Sequence, residues 1–170
     1  MGLEKIRVYG DPVLRRKAGP IEKAGASIDQ LIQEMFDVLE EEGGIGLAAP
    51  QIGVPLRVTI VSIPADVGRK ELALLNPIIT QAEGWQEFEE GCLSVPGIFE
   101  DVRRRAKITI EALNPDGSRF EHTYEGFPAT VFQHEIDHLD GVLFVDRLPR
   151  MKRRLLEKEL AEIARRSGAG

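Results

Sequence analysis

At 170 residues, with 42% hydrophobic and 29% charged side chains, the chain has the size and composition of one soluble globular domain with a core of its own. No run approaches the length of a membrane helix and Met1-Gly-Leu-Glu-Lys has no apolar signal segment, so a cytoplasmic enzyme is the default expectation. The single cysteine, Cys92, excludes an intrachain disulfide, and the net charge of −6 is unevenly spread.

Residues 1–26 read as irregular, broken by Pro12, Gly19, Pro20 and Gly25. From Ser27 the spacing of Ile28, Leu31, Ile32, Met35, Phe36 and Leu39 predicts a core-facing helix, with Ser27 as its N-cap and Gly43 as its stop. The next stretch, Gly43 to Gly53, follows a helix and lacks a Lys-Ser/Thr pair, so it is neither a P-loop nor a dinucleotide fingerprint. Its small residues Gly44, Gly46, Ala48 and Ala49 suit either a tight turn on the core or a close backbone approach to another group. Gln51 adds an uncharged donor at its end.

The middle of the chain reads as sheet: 57–63, 72–80, 85–89, 107–113 and 119–124 are β-branched, apolar or alternating. Asn114 to Ser118 supplies a hairpin turn between the last two. His122 alternates with Phe120 and Tyr124 and is read as a sheet-face residue. Between strands lies Glu89 to Gly97, where Gly91 and Pro96 shape a loop around Cys92. Taken alone, Cys92 reads as a small core hydrophobe; it becomes a candidate ligand once a partner needs one.

That partner is Gln133-His-Glu-Ile-Asp-His-Leu-Asp-Gly141. Residues four apart on a helix share a face, so His134 and His138 can offer two imidazoles to one metal, with Glu135 in reach of a metal-bound water as general base. Pro128 and Gly141 frame the helix. A hydrolytic site of this kind needs a third protein ligand and an open position, and Cys92 gains weight as the candidate for that ligand. Asp137 and the run Arg103 to Arg105 are candidates for orienting this helix, weighed against an exposed ion pair of little worth.

From Arg147 to Arg166 there are six Arg and two Lys against three Glu, a local charge of +5 that leaves −11 for the rest. Pro149 to Arg166 reads as a basic amphipathic helix with Leu155, Leu156, Leu160 and Ile163 on its apolar side. It is either a docked terminal helix or an electrostatic RNA contact. With strands preceding the motif helix, the fold class is α+β: one domain of antiparallel or mixed sheets around a central metal-binding helix, with an N-terminal and a C-terminal helix. Residues 1–148 form the catalytic part and 149–170 a basic helix and tail of the same domain.

Three segments, Gly44 to Gln51, Glu90 to Ser94 and Gln133 to Gly141, resemble the signature motifs of the peptide deformylases, intact and in order. The opening Tyr9-Gly-Asp-Pro-Val-Leu-Arg15 is similar to that family's N-terminal segment, and the tail resembles the bacterial subclass ending in a helix. The resemblance implies a metal-dependent amidase that removes the formyl group from the initiator methionine of nascent chains. By position, Cys92, His134 and His138 would hold a divalent metal, commonly Fe²⁺, with Ni²⁺, Co²⁺ or Zn²⁺ able to occupy the site. Glu135 would be the general acid/base, with Gln51 and the Leu93 backbone N–H facing the oxyanion. Ile45, Gly46, Phe88, Glu90, Gly91, Phe127, Thr130 and Val131 would bind the substrate, with the backbones of Ile45 and Gly91 pairing with the peptide. The partners implied are N-formyl-Met nascent peptides and the ribosome, through the basic helix; neither membrane nor DNA is expected. Two other readings stay open from the residues: a His-Glu-x-x-His peptidase taking a downstream carboxylate as third ligand, and a non-catalytic metal- or ribosome-binding module.

Overall fold

The computed structural model of the protein describes residues 6–167. Its helices and strands are α1 (Ala26–Glu42), β1 (Gly46–Ala48), β2 (Val58–Pro64), β3 (Arg69–Glu83), β4 (Gln86–Cys92), β5 (Val95–Arg104), β6 (Lys107–Leu113), β7 (Arg119–Glu125), α2 (Phe127–Leu139), α3 (Arg150–Leu155) and α4 (Glu157–Arg166). Strands β1, β2, β3, β6 and β7 form a five-stranded antiparallel sheet in that order, while β4 and β5 form a separate antiparallel hairpin. The α+β class expected from the strand-then-helix pattern is the one observed.

The period of two along a strand decides which helix each residue meets. Val58 and Ile60 of β2, with Ala73 and Leu75 of β3, face α1 and pack on Ile28, Leu31, Met35, Val38 and Leu39. Their neighbours Val61 and Leu74, joined by Ile108 and Ile110, face the other way onto Ala129, Val131, Phe132 and Ile136 of α2. A third cluster, with Leu14, Val95, Ile98, Val102, Phe144, Leu156 and Leu160, fastens the C-terminal segment beneath the hairpin. Phe132 and Phe144 are sealed from solvent; burial of such a ring contributes about 1.5–3 kcal/mol. Helix α2 thus has the sheet on one side and the hairpin on another.

Four expectations need correction. Helix α1 starts one residue before Ser27, with Gly25 in the N-cap position, because the backbone N–H groups of Ile28 and Asp29 both bond to Gly25 O. Strand β3 runs well beyond 72–80 at both ends, and a register shift follows Leu75. At that shift Asn76 takes a φ of 52°, a left-handed conformation Asn tolerates better than most residues, and its amide clamps Ile21 N at 2.8 Å and Ile21 O at 2.9 Å. The segment around Cys92 is not a free loop but the tight end of the β4–β5 hairpin, with β5 unforeseen from the sequence. The basic tail is two helices meeting at Leu156. There Leu156, Leu160 and Ile163 enter the core, while Leu155, one residue and about 100° around the helix, is exposed.

Candidate active site

Helix α2 is set by its ends. Gly126 stands in the N-cap position with φ 69°, Pro128 occupies the first turn where its missing N–H costs nothing, and Gly141 follows the C-cap Asp140 with φ 76°. Gly141 is also required for space, since a Cβ there would lie 2.5 Å from Arg15 O. Within the helix His134 and His138 fall on one face with ring centroids 5.1 Å apart, and both are buried. The hairpin brings the third ligand to them: Cys92, the last residue of β4, has its Sγ 3.4 Å from His138 Nε2.

One ligand atom from each of Cys92, His134 and His138 lies within 4.8 Å of the others, and among the described residues this is the group of His, Cys or acidic side chains able to hold a metal. A thiolate with two imidazoles fits a divalent transition ion and leaves a position open for water or substrate. His122 is not part of it; it stays on the outer part of β7 with its ring 4.5 Å from that of Tyr124.

The charges around these ligands suit a cation. Burial works against protonation of His134, yet the negative charge of Glu135 and hydrogen bonds with Cys92 and Glu90 hold its pKa well above the ordinary range. Burial pushes His138 well below that range, to the neutral form that ligates metal. Burial also pushes Glu135 up to about 7, against the opposing pull of His134. This concentration of negative charge around two imidazoles is what a divalent ion relieves.

Glu90, expected to border the substrate, lines the cavity beside the ligands, and its carboxylate also holds a ligand. His134 Nδ1 donates to Glu90 Oε1 at 2.9 Å, and Arg104 forks onto both Glu90 oxygens at 2.6 and 2.9 Å. Burial would raise the Glu90 pKa, but the bonds from His134 and Arg104 hold it below the usual carboxylate range. The imidazole is thereby fixed with Nε2 toward the metal position, the usual use of a carboxylate behind a ligating histidine. Of the three arginines expected to orient the helix, Arg104 is buried and bonds Asp137 at 2.8 Å. Arg103 and Arg105 instead each place the guanidinium over the Trp85 ring, 4.3 and 4.7 Å from its centroid. Gln133 adds a second tie, its amide bonding Arg105 N at 3.0 Å and Arg105 O at 2.9 Å, which holds the chain leaving β5 against the helix.

A cavity of about 610 Å³ opens beside the ligands. It is lined by Ile45, Gly46, Gln51, Glu90, Gly91, Cys92, Leu93, Phe127, Thr130, Val131, His134 and Glu135, so most of the residues singled out in the sequence converge on one space. His138 lies behind Cys92, outside that lining, and Phe88 is likewise outside it, packing edge-on against Phe127 at 5.5 Å. Gly46 settles the choice left open for its segment: a Cβ there would stand 2.5 Å from Glu135 Oε2, so bare backbone seats the carboxylate. Glu135 Oε1 is buried with no hydrogen-bond partner among the described residues. Gln51 is almost wholly buried; its Oε1 accepts from Ala48 N at 2.9 Å, and its Nε2 lies 3.1 Å from Ser94 Oγ and 3.5 Å from Cys92 Sγ. Sequence reasoning missed Ser94, although it closes the second motif, and missed Phe99, whose ring lies over Gly91 at the cavity and which no local pattern marks.

Comparison with known proteins agrees with this geometry. The sequence profile described as polypeptide deformylase matches residues 3–154. The peptide deformylase of Pseudothermotoga lettingae is 42% identical over 165 residues, 97% of this chain and 94% of that protein. That of Aquifex aeolicus is 45% identical over 156 residues, 90% of this chain and 92% of the relative. The crystal structure of a Legionella pneumophila peptide deformylase superposes with a TM-score of 0.87 at 44% identity, covering 96% of each chain. The peptide deformylase of Thermus thermophilus gives 0.88 at 43%, over 96% of this chain and 98% of the other. With that likeness running nearly end to end and a Cys-His-His group at the cavity, the chain belongs to the polypeptide deformylase family of metal-dependent enzymes.

Proposed function

We propose that this cavity removes the N-formyl group from the initiator methionine of nascent polypeptides, releasing formate and a free amino terminus. The observation that carries the reading is the placement of the Glu135 carboxylate in the same cavity as Cys92 and His134, with His138 directly behind. Cys92, His134 and His138 would hold the cation. Bound there, a divalent metal would supply Lewis acidity toward water and the formyl oxygen. Glu135 accepts the proton of the attacking water and delivers it to the amine nitrogen as the C–N bond breaks; a pKa near neutrality suits both transfers. Gln51 and the Leu93 backbone N–H donate to the oxygen as it gains charge, an effect worth about two to three orders of magnitude in rate for one such donor.

The peptide lies extended between the backbones of Ile45 and Gly91. Its methionine side chain enters the part of the cavity walled by Ile45, Phe127, Thr130 and Val131, and Phe88 supports Phe127 from behind. Fe²⁺ is the proposed cellular metal on the family resemblance; Ni²⁺, Co²⁺ and Zn²⁺ suit the same thiolate–imidazole set. Formate release from a formyl-Met tripeptide, by protein purified without oxygen or reloaded with Ni²⁺, is the expected result. No formate from the metal-loaded protein would sink the reading.

The basic segment 149–170 is proposed to be part of the same domain, since Leu156 and Leu160 complete the cluster under the hairpin; its last residues, 168–170, lie outside the described residues. Their exposed Arg150, Arg154 and Lys158 are proposed to dock the enzyme on ribosomal RNA, which places its work on nascent chains in the cytoplasm. Because the leucines are core residues, the test keeps the chain whole. Replacing Arg150, Arg154 and Lys158 by Gln together should weaken ribosome binding, most at low salt, and leave tripeptide hydrolysis unchanged. Ribosome binding equal to the parent's would remove this role.

A further inference from the structure

We propose that Arg147, outside the cavity, is a positioning residue for the metal ligand His134, acting through Asp137, Arg104 and Glu90. The proposal rests on the reading that Cys92, His134 and His138 hold the metal. Arg147 forks onto both oxygens of Asp137, at 3.0 Å to Oδ2 and 2.8 Å to Oδ1. Asp137 Oδ2 also accepts from Arg104 Nη1 at 2.8 Å. Arg104 in turn forks onto Glu90, whose Oε1 accepts from His134 Nδ1. The charges alternate along the whole chain, from the surface to the imidazole.

An exposed ion pair is worth little, and the Arg147 side chain is 49% exposed. Its partner changes the weighing. The Asp137 side chain is only 14% exposed and that of Arg104 3%, so each depends on its ion-pair partners for compensation. Arg147 is the group that holds Asp137 Oδ1, and the planar fork fixes the plane of that carboxylate. With Oδ1 released, Asp137 can turn, and Arg104 loses the fixed partner that sets its hold on Glu90. A second contact comes from the same turn of chain: Phe144 lies in the 3-10 turn Phe144–Arg147 and stacks on the His134 ring at 6.0 Å and 22°. This turn therefore grips one metal ligand twice, by ring stacking and through the ion chain.

The test uses the full-length protein, with Ni²⁺ affinity measured by chelator competition and the visible spectrum of the Co²⁺-loaded form. Arg147→Ala should weaken Ni²⁺ binding by about 3- to 10-fold and alter the Co²⁺ bands. That is less than the about 10- to 100-fold expected for Glu90→Gln, which removes the direct partner. Arg147→Lys, which restores the charge but not the fork, should fall between parent and Ala. Arg15→Ala is the control, because Arg15 pairs with Asp146 on the same turn without joining the chain. Parent affinity and an unchanged Co²⁺ spectrum in Arg147→Ala, or an equal loss in Arg15→Ala, would overturn the positioning role. If Cys92→Ala bound Ni²⁺ like the parent, the metal reading itself would fail, an outcome distinct from either.

Discussion

Glu135→Gln is expected to lower kcat/KM for a formyl-Met peptide by about 10²- to 10⁴-fold while Ni²⁺ binding and the far-UV spectrum stay as in the parent. The substitution keeps the side chain's shape and removes its ability to take a proton. Glu135 is suited to proton transfer because it is buried to 4% exposure, its Oε1 has no partner among the described residues, and burial pushes its pKa up to about 7. The carboxylate lines the cavity, where it can meet a water or a substrate amine. Gly46→Ala is the companion measurement. The new Cβ would meet Glu135 Oε2 at 2.5 Å, closer than real contacts allow, so the carboxylate must shift although its chemistry is intact. A fall in activity with metal still bound is expected there too. A Glu135→Gln enzyme within about tenfold of the parent would assign proton transfer to another group.

Much of this site is legible in the sequence because its chemistry is local. His134, Glu135 and His138 are one helical turn, and a four-residue spacing carries their geometry directly. The helix and sheet spans follow from apolar periodicity, and 107–113 matches β6 to the residue. What is not legible is long-range. Glu90 is separated from His134 by 44 residues, and nothing near it says that its carboxylate bonds an imidazole and an arginine. The same holds for Ser94 receiving the Gln51 amide, and for Arg147, which lies in a basic run where every charge looks solvated. Strand β5 was hidden because Pro96 and Gly97 at its start read as turn signals, and Val95, Ile98 and Val102 pack in a cluster with residues distant in sequence, Leu14 and Phe144 among them. Leu155 misled for the opposite reason: adjacency to Leu156 in sequence places it on another side of the helix.

Cys92→Ala is expected to abolish stoichiometric Ni²⁺ binding and, with it, formate release. Losing a ligand outright should cost more than the about 10- to 100-fold typical of losing a ligand's hydrogen-bond partner. The rival that would survive this mutation is a His-Glu-x-x-His peptidase drawing its third ligand from a carboxylate downstream. Among the described residues no carboxylate downstream of His138 groups with the two histidines; Cys92 does. Asp140 pairs with Arg57 at 3.0 Å, and Asp146 is held by Arg15 and by Leu143 N. Glu157 and Glu159 are exposed on α4, and Glu162 bonds Arg166 on that same helix. Two imidazoles without the thiolate offer an ion two ligands and no negative charge, whereas Cys92 contributes both the third bond and an anion. Isothermal titration with Ni²⁺, beside a formate assay on the same preparation, reads both losses. Retained Ni²⁺ binding with turnover in Cys92→Ala would require a carboxylate to leave its present partner and reach the histidines, and would return the site to the peptidase reading.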